Sequence, residues 1–299
     1  MYIFKSIWEF ILTFFTFISL LFSHAPIQEV AYEAHFPDEL VMSFALVSDT
    51  HVETTDSTSY KNFTKTIRGM KAGKDIDTAV FLGDNVMNGQ KIENFYFYTA
   101  MEIVAPAENN LVALGNHDVG NGEGDYNELC NRFLQNNSEK LGNVIEKPYY
   151  YKIINGVYMI FLASEELTVH ECAISNEQMT WLRDLLDEAD MANAPIFVFN
   201  HHPIYMMAGE TWYDLIDLLG FYDNLLYFCG HTHKILNDNS FRIYGNVRTV
   251  FLPRASGADG YDAGYGVVVE VYKNEILIKP RNFISGEWME ELFLYCPIV

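Results

Sequence analysis

The stretch Ser43-Phe-Ala-Leu-Val-Ser-Asp-Thr-His51 joins a short, continuous apolar run to a polar cluster. Continuous apolarity indicates a strand that is covered on both faces, because a half-exposed strand would alternate apolar with polar residues. The same pattern recurs in four later apolar runs: Thr78–Leu82, Leu111–Leu114, Pro195–Phe199 and Leu225–Cys229. The sequence therefore predicts a series of buried strands.

Helical patterns lie between these strands, and the clearest one begins after Ser175. Ser175 and Gln178 can form a capping box, and one apolar stripe follows them. That stripe consists of Met179, Leu182, Leu185 and Leu186. The segment 249–284 reads as strands with turns. The class predicted from these patterns is α/β with a β-rich end, in one domain that spans residues 26–299.

Charge and composition exclude several classes of protein. The 299-residue chain carries 19 Lys and Arg against 40 Asp and Glu, which gives a net charge of −21. Binding to a nucleic acid polymer or to an anionic membrane surface needs a positive footprint, so neither partner is expected. Hydrophobic residues make up 49% and aromatic residues 15%, which is too apolar for a disordered acidic chain.

Residues 1–25 have the pattern of a signal peptide. An apolar run from Phe10 to Phe22 follows Lys5, and its 13 residues are short for a membrane span. Ser23-His24-Ala25 places small residues at positions −3 and −1 of a cut after Ala25. We expect a secreted or cell-envelope protein without a stable membrane span after cleavage. An uncleaved N-terminal anchor is the alternative.

The chain has four cysteines, whose spacing matches no zinc ribbon or C-x-x-C motif: Cys130, Cys172, Cys229 and Cys296. In an exported protein they could form up to two disulfides in three pairings. Four small buried residues are the alternative, and it is at least as well supported.

Each of the five predicted strands ends at a polar cluster: Ser48–His51, Gly83–Asn85, Gly115–Asp118, Asn200–Pro203 and Gly230–His233. Ligands of α/β sheets bind beyond the carboxyl ends of the strands, so these clusters could converge. Asp, Asn and His suit Mn, Fe or Zn rather than a soft thiolate site. A two-metal site needs a bridging carboxylate, and Asp84 is the candidate. Two adjacent cations can bind a phosphoryl group between them and activate a water molecule.

The ordered motifs D-x-H, G-D, G-N-H-D/E, H and G-H-x-H resemble those of the calcineurin-like metallophosphoesterase superfamily. The resemblance covers about residues 43–284 and implies a sandwich of two β-sheets flanked by helices. It implies that Asp49, His51, Asp84 and His233 hold one metal ion. It also implies that Asp84, Asn116, His201 and His231 hold the second ion, with Asp84 bridging the two.

The resemblance further implies that His117 stabilises or protonates the leaving oxygen while Asp118 holds the His117 ring. A metal-bridging hydroxide would be the nucleophile. His202 and Asn85 are predicted to lie behind the metal ligands or to face the substrate. Many members of the family have Asp three residues after the bridging Asp, where this sequence has Met87. Purple acid phosphatases have a Tyr ligand at that position. Because this sequence has Met87 instead, a tyrosinate-bound ferric site is not expected.

The sequence most resembles small phosphohydrolases related to cyclic-nucleotide phosphodiesterases. It predicts a dinuclear phosphatase or phosphodiesterase that acts on a small phosphorylated substrate. The alternative is a catalytically degenerate module on the same fold that binds metal or another protein. The presence of both His117 and Asp118 favours the active enzyme.

Overall fold

Two six-stranded sheets build the core of the protein. In a computed structural model of the chain, residues 11–16, 18, 34–36, 39–73, 75–257 and 263–299 are described. The first sheet has the strands β1 (Leu40–Val47), β2 (Thr78–Leu82), β3 (Asn109–Ala113), β10 (Tyr265–Tyr272), β11 (Glu275–Asn282) and β12 (Leu294–Pro297). Their spatial order is β12-β11-β10-β1-β2-β3. Strands β1, β2 and β3 run parallel, whereas β10 pairs antiparallel with β1.

The second sheet also combines parallel and antiparallel strands. It contains β4 (Tyr150–Ile154), β5 (Val157–Phe161), β6 (Ile196–Phe199), β7 (Leu225–Cys229), β8 (Phe241–Tyr244) and β9 (Val247–Phe251). Their spatial order is β4-β5-β6-β7-β9-β8. Strands β5, β6, β7 and β9 are parallel, and β4 and β8 pair antiparallel at the two edges.

Five helices connect and cover the sheets: α1 (Thr58–Lys71), α2 (Lys91–Val104), α3 (Tyr126–Leu141), α4 (Asn176–Met191) and α5 (Thr211–Leu219). Alternate residues of each central strand pack in different layers. Phe44 of β1 lies between the sheets with Phe197, whereas Ala45 faces the helix side together with Phe63 of α1. Buried residues of α4 and α5 pack on the second sheet. The arrangement confirms the α/β fold of two sheets flanked by helices.

The helix predicted after Ser175 forms, but only half of the expected capping box does. The Ser175 side chain accepts a hydrogen bond from the Gln178 backbone N–H at 3.2 Å. The Gln178 side chain is buried and bonds to the backbone N–H and carbonyl of Ala163 instead. Glu165 accepts the Ser175 N–H in its place. Gln178 thus ties α4 to the loop that follows β5.

All four cysteines are buried and free, so no disulfide joins them and the small buried interpretation holds. Within the candidate signal segment, residues 11–16 are helical, while the cleavage motif at 23–25 lies outside the described residues. A search of the described part of the chain finds no helix long and apolar enough to cross a membrane.

Candidate metal centre

The polar clusters converge where the two sheets present the carboxyl ends of their parallel strands. The loop after β1 is bonded to the loop after β2: the Asp49 N–H donates to the Gly83 carbonyl at 3.1 Å, and the His51 N–H donates to the Asp84 carbonyl at 2.9 Å. These main-chain bonds set the first two motifs side by side. The structure brings together all seven predicted metal ligands: Asp49, His51, Asp84, Asn116, His201, His231 and His233.

One group of four side chains comes from the loops after β1, β2 and β7. Asp49, His51, Asp84 and His233 each offer a ligand atom, and these atoms all lie within 4.8 Å of one another. The His233 Nε2 is 2.9 Å from Asp49 Oδ1 and 3.1 Å from the His51 Nε2. Four nitrogen and oxygen atoms so close together can surround one cation.

A second group shares one member with the first. Asp84, His201 and His231 also place ligand atoms within 4.8 Å of one another. The His201 Nε2 lies 3.1 Å from Asp84 Oδ2, and Asn116 Oδ1 lies 3.0 Å from His231 Nδ1. Asp84 therefore occupies the position that a bridging carboxylate needs.

Several buried polar atoms at this centre take no hydrogen bond from the residues that the structure describes. Asp49 Oδ1, Asp84 Oδ2 and His201 Nε2 are all in this state, although each lies near a group of the opposite kind. Unsatisfied buried polar atoms are rare in native proteins and usually indicate a missing ion or a functional site. Because the lone pairs of carboxylates and imidazoles converge here, the residues fit a divalent metal pair.

The backbone at the centre adopts an unusual conformation. Asp49, His51, Asp84, His231 and His233 all have positive φ, between 43° and 65°. Residues other than Gly avoid this left-handed region, and each such residue costs about 1–3 kcal/mol of strain. Five strained residues that are all candidate ligands indicate that the backbone conformation, although locally unfavourable, is what directs these side chains towards the centre.

The glycines of the motifs are required for close approach rather than for loop flexibility. A Cβ on Gly115 would lie within 3.0 Å of the Asp84 backbone and carboxylate, and one on Gly230 would lie equally close to the Asp49 carboxylate. Any larger residue at these positions would therefore displace a candidate ligand.

In the protein chain without bound metal ions, burial and neighbouring charges decide which carboxylates and imidazoles of the centre are protonated. Burial raises the pKa of Asp49, but the charge of His201 and the close approach of the His233 and His51 imidazoles outweigh it and hold the pKa well below its usual value. Burial opposes protonation of His201, yet the charges of Asp84 and Asp49 raise its pKa to about 10. Burial lowers the pKa of His51, and burial with the charge of His201 lowers that of His231 to about 4. The last two rings are therefore neutral, the form that binds metals.

His117 lies beside the centre, but Asp118 does not hold its ring. The His117 Nδ1 is 2.6 Å from the Met87 carbonyl, which can only accept, so Nδ1 carries the hydrogen. The His117 Nε2 is 3.9 Å from Asp84 Oδ2. The predicted contact between Asp118 and His117 is therefore wrong. The reason is that the Met87 carbonyl takes the His117 Nδ1–H, while the Asp118 carboxylate accepts hydrogen bonds from other donors.

Asp118 instead fastens the loop that carries Asp84. Its carboxylate accepts four hydrogen bonds, from the backbone N–H groups of Asn85, Val86 and Gly115 and from the Asn85 side chain, at 2.8–3.1 Å. Burial and the charge of Asp84 raise the pKa of Asp118 to about 7, while the N–H donors oppose that rise. Asp118 is thus a residue that holds the loops in place.

The two remaining predicted residues are both buried behind the ligands. The His202 ring lies 4.5 Å from that of His231, and burial lowers its pKa well below the usual value. The Asn85 side chain donates to the Ala113 carbonyl and to Asp118. Neither residue lines the cleft beside His51 that the structure describes.

A sixth polar loop at the centre, which follows β9, was not among the predicted site segments. The Ser256 hydroxyl donates to the Asp49 carbonyl at 3.0 Å, and Arg254 forms a parallel bridge with Ser48. The apolar run Val250–Leu252 before Arg254 and Ser256 carries the same signal as the five strands that were recognised.

Comparison with known proteins agrees with this geometry. A family model for calcineurin-like phosphoesterases matches residues 42–235. The chain belongs to the calcineurin-like phosphoesterase family. No curated protein matches the chain.

Solved structures share the fold of this family member at low identity. A dimetal phosphatase from Danio rerio aligns with a TM-score of 0.61 and 13% identity, over 87% of this chain and 100% of that chain. A purple acid phosphatase from yellow lupin (Lupinus luteus) seeds aligns with a TM-score of 0.61 and 15% identity, over 83% of this chain and 52% of that chain. These likenesses show the fold.

Proposed function

We propose that the chain is a metal-dependent phosphoester hydrolase that acts on a small phosphomonoester or phosphodiester. The observation that carries this proposal is the pair of ligand groups that share Asp84. His117 stands beside them with its Nε2 directed at the shared carboxylate. A module that only bound metal would not need an imidazole oriented in this way.

The residues assigned to the two ions follow from the two groups. Asp49, His51, Asp84 and His233 would hold one ion, and Asp84 would hold the other together with Asn116, His201 and His231. The donor set suits Mn, Fe or Zn. When bound, the ions would supply charge neutralisation at the phosphoryl oxygens and a water of lowered pKa as the nucleophile.

His117 would deliver a proton to the leaving oxygen. Its Nδ1–H is committed to the Met87 carbonyl, so the ring is fixed and only Nε2 can exchange a proton with a substrate. The side chain is 17% exposed, which leaves it within reach of a bound ester. A positioned general acid of this kind contributes about 10²–10⁴ in rate.

The test compares p-nitrophenyl phosphate with bis(p-nitrophenyl) phosphate. The protein is loaded with Mn²⁺, Fe²⁺ or Zn²⁺ in turn and assayed with and without chelator. We expect metal-dependent hydrolysis of at least one ester, and the preferred ester decides between phosphatase and phosphodiesterase. Hydrolysis of neither ester under any metal would contradict the proposal and leave the catalytically degenerate module.

We also propose that the protein is exported to the cell envelope or beyond it. The apolar run Phe10–Phe22 and the small residues Ser23 and Ala25 support this. Sequencing the N-terminus of protein recovered from an exporting host tests it. A mature chain that begins at Pro26 is expected, whereas a chain that keeps residues 1–25 in the membrane fraction would support the uncleaved anchor.

A further inference from the structure

A cleft of about 540 Å³ opens beside the metal centre, and its lining includes His51, Met87 and Arg254. The His51 and His117 ring centroids are 4.7 Å apart, and the Met87 carbonyl accepts the His117 hydrogen bond. The cleft is therefore on the His117 side of the centre. It is much larger than a phosphoryl group, so it has room for the organic part of a substrate.

The position of the cleft suits the alcohol part of the ester, which departs with the leaving oxygen. This step rests on the proposed function, in which His117 protonates the leaving oxygen. The alcohol part of the ester is attached to that oxygen, so it must extend away from the metal ions past His117. Since Met87 and His51 border both His117 and the cleft, the alcohol part would enter the cleft.

Arg254 is held in the wall of the cleft by a chain of hydrogen bonds. Its Nε donates to the Ser256 hydroxyl at 2.8 Å, and that hydroxyl donates to the Asp49 carbonyl at 3.0 Å. The Asn62 side chain of α1 donates to the Ser256 carbonyl at 2.9 Å. The base of the guanidinium is thus fixed to the loop of the metal centre and to a helix.

The outer part of the same guanidinium has no bonding partner in the described part of the chain. Among the residues that the structure describes, none takes a hydrogen bond or an ion pair from the two terminal nitrogens of Arg254. In the described lining Arg254 is the one cation and Glu53 the one carboxylate, and they form no ion pair. The other lining groups include the hydroxyls of Ser57, Thr58 and Ser59. A guanidinium that is fixed through Nε still offers the edge between its two terminal nitrogens, which is suited to bidentate binding of an oxyanion.

We propose that this cleft binds the alcohol part of the substrate and that Arg254 pairs with a second anionic group, a carboxylate or a phosphate, on that alcohol. The hydroxyls at the start of α1 and the Glu53 carboxylate would meet hydroxyl groups of the same alcohol. The preferred substrate is then a hydroxyl-bearing ester that carries two negative groups. A single cation of this kind can select such an ester although the whole chain has a charge of −21.

The experiment uses matched esters on the metal-loaded full chain. Glycerol 3-phosphate and 3-phosphoglycerate differ by a carboxylate, and fructose 6-phosphate and fructose 1,6-bisphosphate differ by a phosphate. In each pair the kcat/KM of the ester with the second anionic group is divided by that of the ester without it, for the wild type and for Arg254→Gln. We expect the wild type to prefer the ester with the second anionic group in at least one pair. The pair that shows the preference identifies that group as a carboxylate or a phosphate.

Arg254→Gln should lower that ratio by about 10- to 100-fold, as expected for loss of a charge-assisted hydrogen bond. Arg254→Lys should give an intermediate ratio because it keeps the charge and loses the fork. Arg183→Gln, which removes an exposed arginine from α4, should keep the wild-type ratio. Metal content and circular dichroism check that each variant folds.

Two results would overturn the proposal: no preference of the wild type in either pair, or an unchanged ratio in Arg254→Gln. An equal fall of kcat/KM for both esters gives an unchanged ratio, and it would place Arg254 on the transferred phosphoryl group instead. Failure of the proposed function is a separate observation, because the wild type would then hydrolyse none of these esters and no p-nitrophenyl ester.

Discussion

Substituting His117 with alanine separates the chemistry of the leaving group from the binding of the metal ions. The His117 ring is not among the two ligand groups, and its Nδ1 is bonded to a backbone carbonyl rather than to a ligand. His117→Ala should therefore retain both ions. The variant loses the group that can place a proton on the departing oxygen.

The size of the effect depends on the ester. A general acid supplies about 10²–10⁴ in rate when the leaving oxygen is basic, so kcat for an alkyl phosphate should fall by about that factor. p-Nitrophenolate leaves readily without a proton, and its release should slow by about tenfold or less. The variant also loses the hydrogen bond between His117 and Met87, so the free energy of unfolding should fall by about 1 kcal/mol.

The assay measures kcat for p-nitrophenyl phosphate and for methyl phosphate with wild type, His117→Ala and His170→Ala. His170 is exposed and serves as the matched control, which should behave as wild type. Bound metal is counted in every sample, and urea unfolding reports stability. An unchanged kcat for methyl phosphate, or equal losses for both esters with the metal ions retained, would refute the acid role of His117.

Three further predictions concern stability. Asp118→Asn should lower the free energy of unfolding by about 3 kcal/mol in urea, because an amide cannot accept all four N–H bonds; an unchanged midpoint would contradict the loop-holding role. In chelated protein, stability should fall as pH rises from 6.5 towards 10, since folding raises the His201 pKa from 6.5 to about 10 and the stabilising proton is lost over that range. Metal loading should remove this dependence, and a chelated protein whose melting temperature is flat over that range would contradict it. Glu270→Gln should destabilise the protein by about 3 kcal/mol, because Glu270 and Lys279 form a buried pair at 2.9 Å; a loss below about 1 kcal/mol in urea would show that the pair behaves as if exposed.

The five strands predicted from strand-end polar clusters are ones whose residues are largely buried on both faces. β1, β2, β6 and β7 lie inside the sheets, and the buried end of the edge strand β3 has the same continuously apolar run. The edge strands β4 and β12 do not have this pattern. Exposed residues such as Tyr151 and Tyr295 stand there among buried or partly buried ones.

The candidate ligands could be predicted because each is a side chain at a fixed place in a motif. The hydrogen bond between the His117 ring and the Met87 carbonyl could not be predicted, because every residue has a backbone carbonyl and no residue type marks the one that accepts. Asp118 was predicted to contact the wrong partner because two residues adjacent in sequence can direct their side chains to different places. Arg254 follows an apolar run like those of the recognised strands, but no histidine or carboxylate occurs from Val250 to Ala258 to suggest a metal site.

The most direct test of a two-metal hydrolase counts ions and turnover in the same sample. Metal-free protein is titrated with Mn²⁺, and bound Mn²⁺ per chain is measured beside hydrolysis of the better p-nitrophenyl ester. Because Asp84 is shared by both ligand groups, we predict two bound ions per chain and a rate that rises with the second ion. Full activity with a single bound ion, or two bound ions without hydrolysis, would contradict the account.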